Sequence, residues 1–161
     1  MQEDKIRLVN LTKVFQTRFQ TITAVKDVNM HFAPGDFVSL IGPSGCGKST
    51  VIRLIDDIIK PSGGDIFIDG ERVDTSKRIP AETIRKIGFI FQQPNMFPWM
   101  TVRENVMLPL KIFGPEGSEW QDYADELIQM TGLTRYRDTY PTAWSGGSMQ
   151  RAGVIRAMVH K

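Results

Sequence analysis

Residue types that would license whole classes of function are scarce in this chain. One cysteine, Cys46, stands among 161 residues, which excludes an internal disulfide framework and suits a reducing compartment. The two histidines, His31 and His160, lack ligand-like spacing to each other, to Cys46 or to carboxylates, so no zinc-type site is read and neither is given a catalytic role. Charge of one sign is not in excess. The 20 Lys and Arg against 18 Asp and Glu leave +2, and the basic residues are scattered, so neither nucleic acid nor an acidic membrane surface is implied as a partner. No apolar run approaches the roughly 18 residues of a membrane-spanning helix, and Met1-Gln2-Glu3-Asp4-Lys5 does not open a secretory signal. Internal repeats and low-complexity tracts are absent too. With 41% hydrophobic residues the chain can build one ordinary core, and the expectation is a soluble domain whose membrane role, if it has one, runs through a partner.

What is present is a glycine-rich stretch. Gly42-Pro43-Ser44-Gly45-Cys46-Gly47-Lys48-Ser49-Thr50 fits G-x-x-x-x-G-K-[ST] and follows the apolar run Phe37-Val38-Ser39-Leu40-Ile41. A triphosphate carries several negative oxygens, and a loop meets them only if its backbone N–H groups point inward. Gly42, Gly45 and Gly47 permit the positive-φ turns and close approach this needs. A helix from Lys48 onward adds the positive end of its dipole, Lys48 reaches the phosphate oxygens as a point charge, and Ser49 offers its hydroxyl to Mg²⁺. The structural alternative is a glycine-rich strand-to-helix turn with no ligand. By itself the loop suits a kinase, a GTPase or many ATPases.

Hydrophobic patterning places the rest. Ile6, Leu8, Val9 and Leu11 read as a first strand, and Val25, Val28, Met30 and Phe32 as a second. Phe37–Ile41 is the continuous apolar run of a strand buried on both faces, and Val51, Ile52, Leu54, Ile55 and Ile58 form the core stripe of the helix after it, ended by Pro61-Ser62-Gly63-Gly64. Asp69-Gly70 predicts a hairpin between 65–68 and 72–73. A short helix near 81–86 should lead into a strand over 87–91. Thr101-Val102-Arg103-Glu104 is a capping box opening a helical stretch to about Met130, broken by Gly114-Pro115-Glu116-Gly117-Ser118, with Gly132 as C-terminal cap. Met149, Ala152, Ile155 and Val159 give a last helix its spacing. Met96, Phe97, Trp99 and Met100 are core residues or, on an exposed loop, a protein interface.

Three further features give the phosphate loop a context. Phe91-Gln92 ends the predicted 87–91 strand, Trp144-Ser145-Gly146-Gly147-Ser148 opens the last helix, and Phe15 precedes the second strand. In this order they resemble the nucleotide-binding subunit of ATP-binding cassette (ABC) transporters over essentially all 161 residues. The implied fold is α/β: a P-loop NTPase core of mixed sheet with an antiparallel β subdomain, plus an inserted helical subdomain. Its layout would be residues 1–100 as core, 101–143 as helical subdomain and 144–161 as signature motif and helix, together one partial nucleotide-binding domain. The resemblance implies that Phe15 stacks on adenine, that 42–50 is Walker A, and that Gln92 touches Mg²⁺ and the attacking water. Ser145 and Gly147 would close over the γ-phosphate of ATP held by an opposite copy, as the family's Leu-Ser-Gly-Gly-Gln does. Trp144 and Ser148 depart from that pattern, one a bulky apolar plug, the other a shortened side chain. The segment 91–102 with Asn105, Val106 and Leu110 resembles importers of the nitrate, sulfonate and taurine group.

In this family the signature helix leads to a strand ending in Asp-Glu and later to a histidine, and this chain stops at Lys161. The expectation is therefore an N-terminal portion that binds ATP and hydrolyses it poorly, while the full-length subunit is the ATPase. The resemblance implies membrane permease subunits, an ATP-bridged homodimer and an extracytoplasmic solute-binding protein as partners, no nucleic acid, and a place at the cytoplasmic face of the membrane. The alternative is a soluble cassette ATPase acting on nucleic acid or ribosomes, or a nonhydrolysing relic.

Overall fold

The computed structural model describes residues 4–77, 80–113 and 119–160. The chain divides into two compact units, residues 1–83 and 84–161.

The first unit is built on β1 (Ile6–Gln16), which pairs antiparallel with β2 (Thr21–Phe32) on one side and β3 (Gly63–Ile68) on the other, with β4 (Glu71–Arg72) added to β3. Leu8, Leu11, Val25, Ile66 and Ile68 are buried. Between Leu8 and Leu11 the ladder slips, and Asn10 takes φ 48°, a left-handed conformation that Asn tolerates. The Asn29 carboxamide holds it there, accepting from the Asn10 N–H (2.9 Å) and donating to Asn10 Oδ1 (3.1 Å). Gly64 faces this bulge at φ +82°, and a Cβ there would collide with the Asn10 carbonyl oxygen. The β1–β2 turn closes with Thr17 and Gln20 exchanging backbone and hydroxyl hydrogen bonds. At the β3–β4 turn Asp69 (φ 51°) and Gly70 (φ 77°) are both left-handed, the geometry of a two-residue hairpin of type I′, as their sequence predicts.

Three expectations for this unit need correction. β1 runs past Leu11 to Gln16 and β2 begins at Thr21, because residues 13–16 and 21–23, none of them buried, are carried by pairing with each other rather than by burial. The run Phe37–Ile41 is not a buried strand. Among the described residues no ladder reaches it, and Phe37 is 96% and Ile41 94% exposed. A central strand of a parallel sheet depends on neighbours on both sides, and the strands that are present here pair with each other and stop. A cavity of about 320 Å³ lies between β2 and this run, lined by Val28, Met30, Leu40 and Ile41 among others. The helix after the phosphate loop, α1 (Lys48–Ile55), ends at Asp56, ahead of Pro61, so Val51 and Leu54 are buried while Ile52 and Ile58 are each 44% exposed.

α2 (Ala81–Arg85) is the expected short helix. The expected strand over 87–91 is absent for the same reason as 37–41: the backbone lacks a ladder partner among the described residues, and the Phe89 and Phe91 rings meet edge to face at 4.5 Å instead.

The second unit packs α3 (Val102–Phe113), α4 (Glu119–Met130) and α5 (Gly146–Met158) around Val102, Val106, Ala124, Ile128, Leu133, Trp144 and Ile155. The predicted break at 114–118 falls outside the described residues. The capping box forms: Glu104 Oε2 accepts from the Thr101 N–H (2.8 Å), and Thr101 Oγ1 accepts from the Glu104 N–H (3.3 Å). Gly132, at φ +67°, ends α4 in a Schellman pair, with Leu133 N–H on the Ile128 carbonyl (2.9 Å) and Gly132 N–H on that of Gln129 (3.0 Å). Trp144 is buried as the plug its size suggests, and its indole N–H donates to Thr139 Oγ1 at 2.9 Å. Asp125 accepts from Arg103 (2.9 and 3.2 Å) and Arg137 (2.8 Å), tying α3 and α4 to the segment beyond Gly132.

Candidate nucleotide site

The phosphate loop sits at the start of α1 with the backbone its glycines permit. Gly45 has φ +81° and Gly47 φ +99°, and Gly47 is the N-cap, its carbonyl accepting the first helical bond from Val51 N–H at 3.0 Å. A Cβ on Gly47 would stand 2.5 Å from the Ala24 carbonyl oxygen, so only glycine lets the loop pass this close to β2. No side chain caps α1, which leaves the N–H groups of its first turn directed outward. Lys48 folds back along the loop, its ammonium donating to the carbonyls of Gly42 (2.7 Å) and Pro43 (2.6 Å). Pro43, Ser44, Cys46 and Ser49 are exposed, and Thr50 is half-buried. A concave, uncapped, cation-bearing turn of this kind is an anion cradle.

Phe15 lies near the end of β1 opposite Ile22, 38% exposed, with the Lys13 ammonium 5.0 Å from its ring centre. Gln92 is exposed in an irregular segment, where the sequence predicts a strand end.

In the second unit Ser145 caps α5, accepting from Ser148 N–H at 3.2 Å. Ser148 is 1% exposed, and its hydroxyl lies 3.0 Å from that of Ser145. The departure at position 148 is thus turned inward, toward the cap. Gly146 and Gly147 are exposed in the first turn of α5, and a Cβ on either would meet nothing within 4 Å. Packing among the described residues gives no reason for glycine at either position.

One group escaped the sequence reading, and another was read there only as part of the importer-like segment. Asp56, just past α1, is half-buried beside Asp57, and burial first, then the neighbouring carboxylate, pushes its carboxyl up to about 6. Asn105 is fully buried in α3, and the signal was there: a polar residue at a core position between Val102 and Val106. Among the described residues no group of three or more His, Cys, Asp or Glu could hold a metal by itself, and no helix is long and apolar enough to cross a membrane.

The glycine cradle at an uncapped helix start, beside an antiparallel sheet and with a helical unit carrying a serine-capped helix, defines a P-loop nucleotide-binding cassette. The chain belongs to the ABC transporter family, whose model matches residues 25–161. It is 40% identical over 152 residues to the choline transport ATP-binding protein OpuBA of Bacillus subtilis, covering 94% of this chain and 39% of that protein. It is 37% identical over 153 residues to the nitrate import ATP-binding protein NrtD of Synechocystis, covering 95% of this chain and 55% of that one. Among solved structures it resembles a dimeric bacterial ABC transporter cassette (TM-score 0.85, 37% identity, 96% of this chain and 69% of that one). A post-hydrolysis cassette dimer bound to ADP and Pi gives a TM-score of 0.84 at 36% identity, with the same coverage. The cassette fold expected from the sequence therefore holds, although its antiparallel part is the only ladder among the described residues. The chain spans 39% of the length of OpuBA.

Proposed function

We propose that these residues are the nucleotide-binding portion of an ATP-hydrolysing subunit that powers import of a small solute. The observation that carries the reading is the pairing of two half-sites in one chain. One is a phosphate cradle with Lys48; the other is a serine-capped helix start on whose glycines a Cβ would meet open space among the described residues. A second copy placing Ser145, Gly146 and Gly147 over a nucleotide held by Gly42–Thr50 supports both. Phe15 would stack on the adenine. Mg²⁺, a hard ion held mainly by phosphate oxygens, would take the Ser49 hydroxyl as a protein ligand and neutralise charge on the phosphates, and the family resemblance adds the Gln92 carboxamide. On this reading the 161 residues bind ATP, while hydrolysis belongs to the whole protein.

The names of the relatives share transport and differ in cargo, from choline to nitrate, so the reading stops at a small solute. Its partners would be permease subunits, reached through Gln92 and the 95–112 segment, with a solute-binding protein outside and the subunit peripheral on the cytoplasmic face. Light scattering of the full-length protein tests the core of this. ATP should drive dimerisation, and Lys48→Ala should abolish it. A Lys48→Ala protein that still dimerises with ATP would overturn the role given to the loop.

A further inference from the structure

Asn105 is one of only two polar side chains fully buried among the described residues, and all of its hydrogen bonds go to one loop. Its Oδ1 accepts from the Phe97 N–H at 2.8 Å, and its Nδ2 donates to the carbonyls of Phe97 (3.1 Å), Met100 (3.0 Å) and Thr101 (3.0 Å). The carboxamide thus pairs with residue 97 on both its N–H and its C=O, as a neighbouring strand would, and then gathers the next turn. The Phe97 N–H needs an acceptor and the three carbonyls need a donor, which fixes the orientation of the amide. Aspartate, with oxygen in both positions, would face three carbonyl oxygens; serine reaches fewer of them. On the outer side of the same loop Phe97 and Trp99 stand 36% and 68% exposed, their ring centres 5.3 Å apart. Few intraloop bonds hold this shape: Met96 N–H to the Pro94 carbonyl (2.9 Å) and Met100 N–H to that of Phe97 (3.1 Å).

We propose that Asn105 is a positioning residue for coupling: from the buried side it sets the shape of loop 97–101, so that Phe97 and Trp99 are presented as a rigid aromatic pair to the membrane subunit. A preformed pair avoids the ordering cost of immobilising two large side chains on docking. This rests on the reading above that the 95–112 segment meets permease subunits.

The test uses the full-length protein labelled with 5-fluorotryptophan, with Trp99→Phe and Trp144→Phe assigning the loop and core signals. In Asn105→Asp and Asn105→Ser the Trp99 fluorine resonance should shift or broaden, while that of Trp144 reports an intact helical core. In parallel, affinity for the co-expressed membrane subunits in detergent should fall at least tenfold for Trp99→Ala and for both Asn105 variants. An unmoved Trp99 resonance in both Asn105 variants would overturn the proposal, as would wild-type affinity with a displaced resonance. Wild-type affinity in Trp99→Ala would instead remove the docking reading on which the proposal rests. Should the aspartate variant lose the Trp144 signal, the serine variant carries the decision.

Discussion

In the helical unit the elements are completed by residues close in sequence: Thr101 and Glu104 open α3, Gly132 and Leu133 close α4, and Ser145 and Ser148 open α5. In the sheet unit β1 finds its second partner only at β3, more than forty residues beyond its own end, and the segment that roots the phosphate loop finds none among the described residues. The difference separates two kinds of dependence. The helical unit's boundaries are set by short-range hydrogen bonds and one buried cluster. The nucleotide loop has its own conformation, set by Gly47 and its approach to β2, but stands on a run whose strand identity rests on neighbours.

The largest effect on that contrast should come from Trp144→Ala. Removing a buried indole and its bond to Thr139 should destabilise the helical unit by about 3–5 kcal/mol. Hydrogen exchange should show lost protection across α3–α5, with β1–β3 little changed; equal loss in both units would break the division. Lys48→Ala should do the reverse. Loss of a charge-assisted contact to phosphate should weaken ATP binding by about 1.5–3 kcal/mol, roughly ten- to hundredfold, read with a fluorescent ATP analogue, and leave both melting transitions in place. Ser145→Ala removes the cap of α5 and the partner of the buried Ser148 hydroxyl, and should lower the helical unit's stability by about 1 kcal/mol in denaturant melts.

Smallest is an opposition in pH dependence. The hydrogen bond from Arg103, then the charges of Arg103 and Arg137, hold the Asp125 carboxyl below its ordinary value. Its stabilisation is therefore present above the unfolded value near 4 and lost as pH falls through the folded one. Asp56 is raised to about 6, so its favourable contribution is complete below the unfolded value of 3.8 and disappears as pH rises through 6. Asp56→Asn should then stabilise the sheet unit at pH 7 but not at pH 3.5, by less than about 1 kcal/mol once solvent screening of this half-exposed group is allowed for. Asp125→Asn should destabilise the helical unit at pH 7 and have little effect near pH 2. Melting curves at the three pH values check both signs, and a parallel response of the two variants would remove the opposition.

Legibility in the sequence follows the same line. The capping box at Thr101, the cap at Ser145, Gly132 and the Asp69-Gly70 turn were readable because each is a rule about residues within a few positions of one another. The loop at 42–50 was readable because its glycines and Lys48 follow one short spacing pattern. Phe37–Ile41 misled because an apolar run states a preference for burial and does not supply the strands that bury it. The β1–β2 extension through Thr12 to Thr23 was invisible to hydrophobic patterning, since cross-strand pairing of residues that are not buried, such as Val14 with Thr23 and Phe15 with Ile22, stabilises it. Asn105 was legible only as part of the importer-like segment, and its partners at 97, 100 and 101 could not be inferred from that alone.

The ladder between β1 and β3 also sets an order of events. Residues 17–62, with the phosphate loop inside them, are bracketed by two strands that meet only when the later one has been made. At roughly 5–20 residues per second of synthesis, β1 waits about 3–10 s and β2 about 2–7 s for β3 to emerge. During that interval Gly64 has not yet reached the Asn10 bulge, and the loop is tethered on one side only. Until residues 63–68 appear, the 17–62 segment is held to β1 through β2 alone.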